Sequence, residues 1–241
     1  MRLHIVRHAD PDYERNTITP RGHQEAAALA PRIRDLDPVR LYSSPMGRAR
    51  DTAEYTSLAT GMPVTVLDWT AELAGPRVEL LIGRSEPVWN LDGERIREHD
   101  QAAHGFSWAM IPELADPAIE ALCAGVAQAS DEFLAARGYR RTGGWYEVAA
   151  EADEGDHVVF CHAGFGMTWL AHLLGVPPPL LWCGIYLAPS SVTTVQFERR
   201  SARRAVPRAL SIGDTSHIAV AGLTPNYQGL LQPGQPFSSS R

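Results

Sequence analysis

The chain has 241 residues, 44% hydrophobic and 21% charged, a length that suits one α/β domain able to bury most of its unfolded surface without disulfides or metal. Its 22 basic and 28 acidic residues give a formal net charge of −6, which argues against a general nucleic-acid binder. Every basic residue is arginine; with no lysine, the chain cannot carry a P-loop, a protein-kinase strand lysine or a pyridoxal Schiff base.

In chain order, Leu3 to Val6 is a short β-prone run. Thr19-Pro20 reads as an N-cap followed by proline at N1, opening an Ala-rich helix to about Arg34. Arg40 to Ser43 is a second strand, and a helix from Pro45 to about Thr60 stops at Gly61. Val64 to Leu67 is a third strand; Val158 to Cys161 is a fourth, apolar throughout as a buried parallel strand would be. A helix from Gly164 to about Leu174 closes at Gly175 before the Pro177-Pro178-Pro179 run. Ser191 to Glu198 alternates like a half-exposed strand, with Ala209 to Ile212 as its partner. Strands alternating with helices predict βαβ units and a mainly parallel sheet. Residues 76–150 break this rhythm, with Trp89, Trp108, Trp145 and one clear helix over about 117–137, and read as an insertion or lid. The expected organisation is one domain over 1–222 and an extended or disordered tail over 223–241.

Cys123, Cys161 and Cys183 are odd in number and widely spaced, which fits free thiols and a reducing compartment. No apolar run approaches the roughly 20 residues needed to span a bilayer. The opening MRLHIVRH reads as a core strand rather than a signal peptide, so the expected location is the cytoplasm. The arginine bias suggests a GC-rich bacterial genome.

Three places could carry chemistry, each just after a strand, where open α/β sheets bind ligands. Arg7-His8 is the first, placed to meet a bound anion; taken alone it reads as a surface basic pair at a strand end. In Ser44-Pro45-Met46-Gly47-Arg48, Arg48 falls in the first turn of a helix, where a cation is disfavoured unless an anion sits nearby. In His162-Ala163-Gly164-Phe165-Gly166, the glycines expose N–H groups at a helix N-terminus, an arrangement suited to phosphate. A dinucleotide fingerprint fails there because Trp169 occupies the third glycine position.

Together these blocks resemble the histidine phosphatase superfamily, also called phosphoglycerate mutase-like. The matching text is VRHAD (6–10), ITPRG (18–22), SSPMGRARDTA (43–53), the Glu of TAEL (70–73) and FCHAGFG (160–166). The resemblance implies a three-layer αβα sandwich and a covalent phosphohistidine on His8. It implies that Arg7, Arg48 and a protonated His162 surround the phosphoryl group, where local field rather than net charge decides binding. Glu72 is the candidate general acid, with Asp10 as its rival; either needs a raised pKa to be protonated near neutral pH. Asn16 is a candidate phosphate contact in place of the family's loop asparagine. The acid-phosphatase branch carries Asp directly after the second His; Ala163 here points to the mutase-like branch.

No metal and no cofactor is implied: HExxH is absent, and His4 and His8 lie along one strand roughly 13 Å apart. Mutases of the family use a Lys for the substrate carboxylate, and this chain has none, which favours hydrolysis. The expected activity is a phosphomonoester phosphatase on a small phosphorylated metabolite; the alternatives are a phosphoglycerate mutase-type transferase or a silent phosphate-binding module. Neither nucleic acid nor membrane is expected as a partner, and the assembly is a monomer or homodimer. The basic run Arg199-Arg200-Ser201-Ala202-Arg203-Arg204 reads as a solvated hairpin turn, and Gly213 to His217 as a polar turn after the last strand. Substrate specificity is expected from the insertion, through some of Phe106, Trp108, Met110 and Trp145.

Overall fold

The computed structural model describes residues 1–81, 83–99, 108–227 and 230. Its main sheet is built from β1 (Arg2–Arg7), β4 (Arg40–Ser43), β5 (Val64–Val66), β8 (Tyr139–Thr142), β9 (Trp145–Val148), β10 (Asp156–Cys161), β11 (Val192–Ser201) and β12 (Arg204–Asp214). Two small hairpins, β2–β3 (Pro11–Asp12, Thr17–Ile18) and β6–β7 (Arg77–Glu79, Ser85–Pro87), stand apart from it. The strand order is β5-β4-β10-β1-β11-β12-β9-β8.

The fold is α/β with helices on both sheet faces, and the sheet is mixed. β5, β4, β10 and β1 run parallel, whereas β11, β12, β9 and β8 join antiparallel. The cause lies in the connections. β11 and β12 are joined by a tight turn at Ala202-Arg203, and β8 and β9 by Gly143-Gly144, with Gly143 at φ 61°. Such short links can only make hairpins, while the parallel strands need helical crossovers.

One face is covered by α1 (Pro20–Arg34) and α2 (Gly47–Thr60), the other by α4 (Pro117–Ala135) and α5 (Ala163–Leu174). Between β7 and α4 lies the short α3 (Gly93–Glu98), and after α5 come α6 (Pro178–Gly184) and α7 (Ser216–Val220). Side chains alternate across the sheet as a period of two requires: Val158 and Phe160 of β10 pack with Leu29 and Ile33 of α1, while Val159 and Cys161 pack with Phe165 and Trp169 of α5. All of β10 is buried, which explains its unbroken apolar run.

Local signals decide where the helices start and stop. Thr19 caps α1 by accepting the Gly22 N–H at 3.0 Å with Pro20 behind it, and Gly61 ends α2 in the left-handed conformation at φ 70°. Residues 76–150 do not form one inserted unit. β8 and β9 extend the main sheet and α4 packs on its face, while described residues before α4 join a separate cluster. There Trp89 and Trp108 are buried with Trp182, Ile111 and Met167 in a core of their own. At the other end of the chain, residues 223–227 pack back on the domain. The Thr224 carbonyl accepts from Arg21, and Asn226 Nδ2 donates to Asp10 at 2.6 Å.

Candidate active site

β1, β4 and β10 are adjacent, so their carboxyl ends bring together the loops that carry His8, Ser44 and His162. The His8 and His162 ring centroids are 5.2 Å apart, and both residues are buried. His8 Nδ1 lies 2.8 Å from the Ala9 carbonyl oxygen. A carbonyl can only accept, so Nδ1 carries the ring proton and Nε2 keeps its lone pair. Burial, then Arg7 and His162, hold the His8 pKa well below its ordinary value, so the ring is neutral.

The Ala9 carbonyl is itself fixed. Ala9 N–H donates to Thr52 Oγ1 at 3.0 Å, and that hydroxyl donates to the Arg48 carbonyl at 2.7 Å. Thr52 and Arg48 share α2, so one helix sets both the nucleophile's tautomer and the neighbouring cation. Arg48 is only 7% exposed; Nη1 donates to Asn16 Oδ1 at 3.0 Å, and its guanidinium lies 5.3 Å from the Tyr13 ring centroid. Asn16 thus meets the arginine directly. It sits at φ 52°, at the turn of the β2–β3 hairpin, which presses on α2 so closely that a Cβ on Gly47 would lie 2.1 Å from the Asn16 carbonyl oxygen. Arg7 is anchored by a hydrogen bond from Nη1 to the Leu187 carbonyl.

His162 Nε2 is 2.7 Å from Ser44 Oγ, and its Nδ1 is buried with no partner. Desolvation, then Arg48 and Arg7, push the His162 pKa down to about 3. His162 is therefore neutral here, not the imidazolium expected from the sequence. Removing a cation from water beside two guanidiniums outweighs any gain from its charge.

The N–H groups after His162 also differ from expectation. They hold no open anion site, because Glu72 occupies it: Oε1 accepts from Phe165 N at 2.8 Å and Oε2 from Gly164 N at 3.2 Å, while Leu73 N donates to Oε1 at 3.1 Å. Those donors favour the carboxylate, yet burial dominates and the Glu72 pKa is raised. Trp89 lies against the same helix end, where a Cβ on Gly164 would come within 2.5 Å of its ring. Asp10 is differently employed: its oxygens accept from Thr19 Oγ1 at 2.7 Å and from Asn226. It ties a loop to the C-terminal segment.

Four side chains of the site, His8, Arg48, Glu72 and His162, thus act on one another, with Arg7 contributing to the field at each. Ser44, Thr52 and Tyr13 belong with them and carried no individual signal; Ser44 and Thr52 lie inside the SSPMGRARDTA block, and Tyr13 is the aromatic of a short polar loop. Of the residues expected to shape specificity, Trp108 is core and Met110 is 77% exposed. Trp145 lies on β9 under Arg204, 4.6 Å from its guanidinium, on the antiparallel half of the sheet. Phe106 lies outside the described residues. Among the described residues no group of three or more His, Cys, Asp or Glu side chains is placed to hold a metal ion.

The family model of the histidine phosphatase superfamily (branch 1) matches residues 3–206. The chain belongs to that superfamily. This branch 1 membership agrees with Ala163 after the second histidine. Solved structures with the same fold include a phosphoserine phosphatase from Entamoeba histolytica in complex with phosphoserine, 18% identical, with a TM-score of 0.60 over 90% of this chain and 98% of that one. A phosphoglycerate mutase from Bacillus anthracis is 17% identical, with a TM-score of 0.58 over 92% and 96%. A mycobacterial glucosyl-3-phosphoglycerate phosphatase is 19% identical, with a TM-score of 0.55 over 86% and 96%. A probable phosphatase of Schizosaccharomyces pombe is 33% identical over 78 residues, which span 28% of this chain and 28% of that relative's length. Superfamily members are generally phosphatases or mutases. No helix among the described residues is long and apolar enough to cross a membrane.

Proposed function

We propose that this histidine phosphatase hydrolyses phosphomonoesters of a small metabolite through a phosphohistidine on His8. The observation that carries the reading is the locked Nδ1–H of His8, which leaves Nε2 as a neutral nucleophile between two arginines. Nε2 attacks phosphorus in line; the P–N bond forms as the ester P–O bond breaks. Arg7 and Arg48 hold the non-bridging oxygens, whose charge dominates a loose transition state. With Ser44 donating to His162 Nε2, the ring proton sits on Nδ1, a further donor to the phosphoryl group. Asn16 keeps the Arg48 fork in place and leaves its amide N–H groups for the phosphate.

Glu72 gives its proton to the departing oxygen. It then takes one from water as the water oxygen attacks phosphorus, the P–N bond breaks and phosphate leaves. The raised pKa of Glu72 supports the first role. The scheme asks for no metal ion or cofactor. The lack of any lysine favours water over a phosphoglycerate as acceptor.

Hydrolysis of p-nitrophenyl phosphate between pH 4 and 9 with EDTA present is the test, for the wild type and His8→Ala. EDTA-resistant turnover that His8→Ala abolishes is expected. Turnover that needs metal, or survives His8→Ala, or efficient isomerisation of phosphoglycerate primed with 2,3-bisphosphoglycerate, would overturn the proposal.

A further inference from the structure

A chain of hydrogen bonds runs from the back of the domain to the nucleophile's own backbone. Residues 188–191 form a turn closed by Ser191 N–H to the Ala188 carbonyl at 3.0 Å, with Pro189 and then Ser190 at its corners. Ser190 sits at φ 58°. Proline followed by a left-handed residue is the turn pattern that ordinarily calls for glycine. Ser190 is nevertheless a serine, fully buried, and both its N–H and its hydroxyl are used. Its N–H donates to the His8 carbonyl at 3.0 Å, and its Oγ lies 2.7 Å from His217 Nε2.

The direction of that second bond follows from the first link behind it. Arg32 Nη1 lies 3.2 Å from His217 Nδ1, and a guanidinium can only donate, so Nδ1 accepts and Nε2–H donates to Ser190. Arg32 is held in turn by Asp214 Oδ2 at 2.8 Å, the Asp214 carbonyl at 3.3 Å and Ser216 Oγ at 3.2 Å. The same turn also grips the first arginine. Arg7 N–H donates to the Ser191 carbonyl at 3.1 Å, and Arg7 Nη1 to the Leu187 carbonyl just before the turn.

We infer that Ser190 and His217 are positioning residues: through the 188–191 turn they fix the backbone of Arg7 and His8, and so the line of attack of His8 Nε2. Neither touches the phosphoryl group. Serine stands where glycine would fit the backbone better, and its hydroxyl fastens the turn to His217. Residues 213–217 are not the polar turn expected from the sequence but the end of β12 and the start of α7, and this junction anchors the active site through Asp214 and His217.

Ser190→Gly is the decisive variant, since glycine accepts φ 58° and removes only the hydroxyl link. Turnover of p-nitrophenyl phosphate by the full chain is expected to fall about 10- to 100-fold in kcat, with KM within about twofold; the buried His217 Nε2–H left without a partner lowers Tm by a few °C, too little to unfold the chain at the assay temperature. His217→Gln, which keeps a side-chain N–H donor, is expected to retain more kcat than His217→Phe. A second readout is nitrogen NMR of ¹⁵N-histidine protein, in which His8 shows the single Nδ1–H tautomer in the wild type and a mixture in Ser190→Gly. Wild-type kcat together with an unchanged His8 signal in Ser190→Gly would overturn the inference. So would a loss carried by KM with kcat kept, or equal kcat for His217→Gln and His217→Phe. The inference rests on the phosphatase reading only for its rate assay. A wild type inactive on every phosphate ester would sink that reading, while the tautomer spectra would still decide the role of Ser190.

Discussion

Replacing Glu72 by glutamine separates the two half-reactions, because the two steps ask opposite things of the carboxyl. General acid–base catalysis contributes about 10²- to 10⁴-fold, or roughly 3–5 kcal/mol at 1.36 kcal/mol per tenfold. A nitrophenolate leaves without needing a proton, so Glu72→Gln loses little of that in the phosphorylation step with p-nitrophenyl phosphate. An alkyl phosphate loses nearly all of it. Dephosphorylation needs the base whichever ester delivered the phosphoryl group. The expected result is a burst of one equivalent of nitrophenolate per active site, then a steady rate slower by about 10²-fold or more. The phosphohistidine then accumulates and is trapped as an acid-labile, base-stable adduct. An alkyl phosphate gives no burst. Glutamine can still accept from Phe165 and Leu73 through its oxygen, but its amide N–H faces the Gly164 N–H, leaving that donor unpaired. That costs about 1–3 kcal/mol, and each kcal/mol lowers Tm by about 2–4 °C in a domain of this size, so the variant still folds. A linear nitrophenolate trace, or equal slowing of both esters without adduct, would refute the role of Glu72.

Other outcomes follow from the same geometry. The pH profile for an alkyl phosphate should extend well below pH 6.5 on its acid side, because a depressed His8 pKa keeps the nucleophile neutral there, and should fall on the alkaline side as the raised Glu72 pKa is passed. Glu72→Gln should flatten the alkaline limb, and an acid limb centred at an ordinary histidine pKa would contradict the burial argument. Asn16→Ala frees the buried Arg48 fork, so KM for the ester should rise and kcat should fall, each by about 2- to 5-fold, as measured by steady-state kinetics. Gly47→Ala drives a methyl into the Asn16 carbonyl, and calorimetry should show a loss of about 1–3 kcal/mol with weaker phosphate binding. Trp169→Phe strands the buried Ser130 hydroxyl, now 2.7 Å from Trp169 Nε1, and should lower stability by about 1–3 kcal/mol in urea titration without changing KM.

Those parts of the fold governed by local chemistry were legible in the sequence. Thr19-Pro20, Gly61 and Gly175 mark helix ends through capping and left-handed geometry, and β10 declares itself by burial on both faces. The strand-end placement of Arg7, His8, Arg48 and His162 was legible for the same reason. The pairing of β8 with β9 was not, because Trp145 and the Gly143-Gly144 turn look like lid residues until the sheet supplies an edge. The state of His162 depends on how much water the fold removes around it, and no spacing encodes that. Nor could the sequence show that Gly164 and Phe165 give their N–H groups to Glu72: the partner lies about 90 positions away, and both an inorganic anion and a carboxylate satisfy the same donors. Nothing in the sequence marks His217, which lies in the first turn of α7, since its partners Arg32 and Ser190 meet it only in three dimensions.

The mixed sheet has a practical consequence for handling this molecule. Every reacting group hangs from the parallel half, whereas the turns at Gly143-Gly144 and Ala202-Arg203 close hairpins of the antiparallel half. Both turns are exposed, and short exposed hairpin tips are where chains accept added sequence best. An affinity tag, a fluorophore or a surface tether placed at either tip would leave the catalytic loops untouched, whereas one inserted at Asn226 or Tyr227 would disturb their contacts with Asp10 and Tyr186.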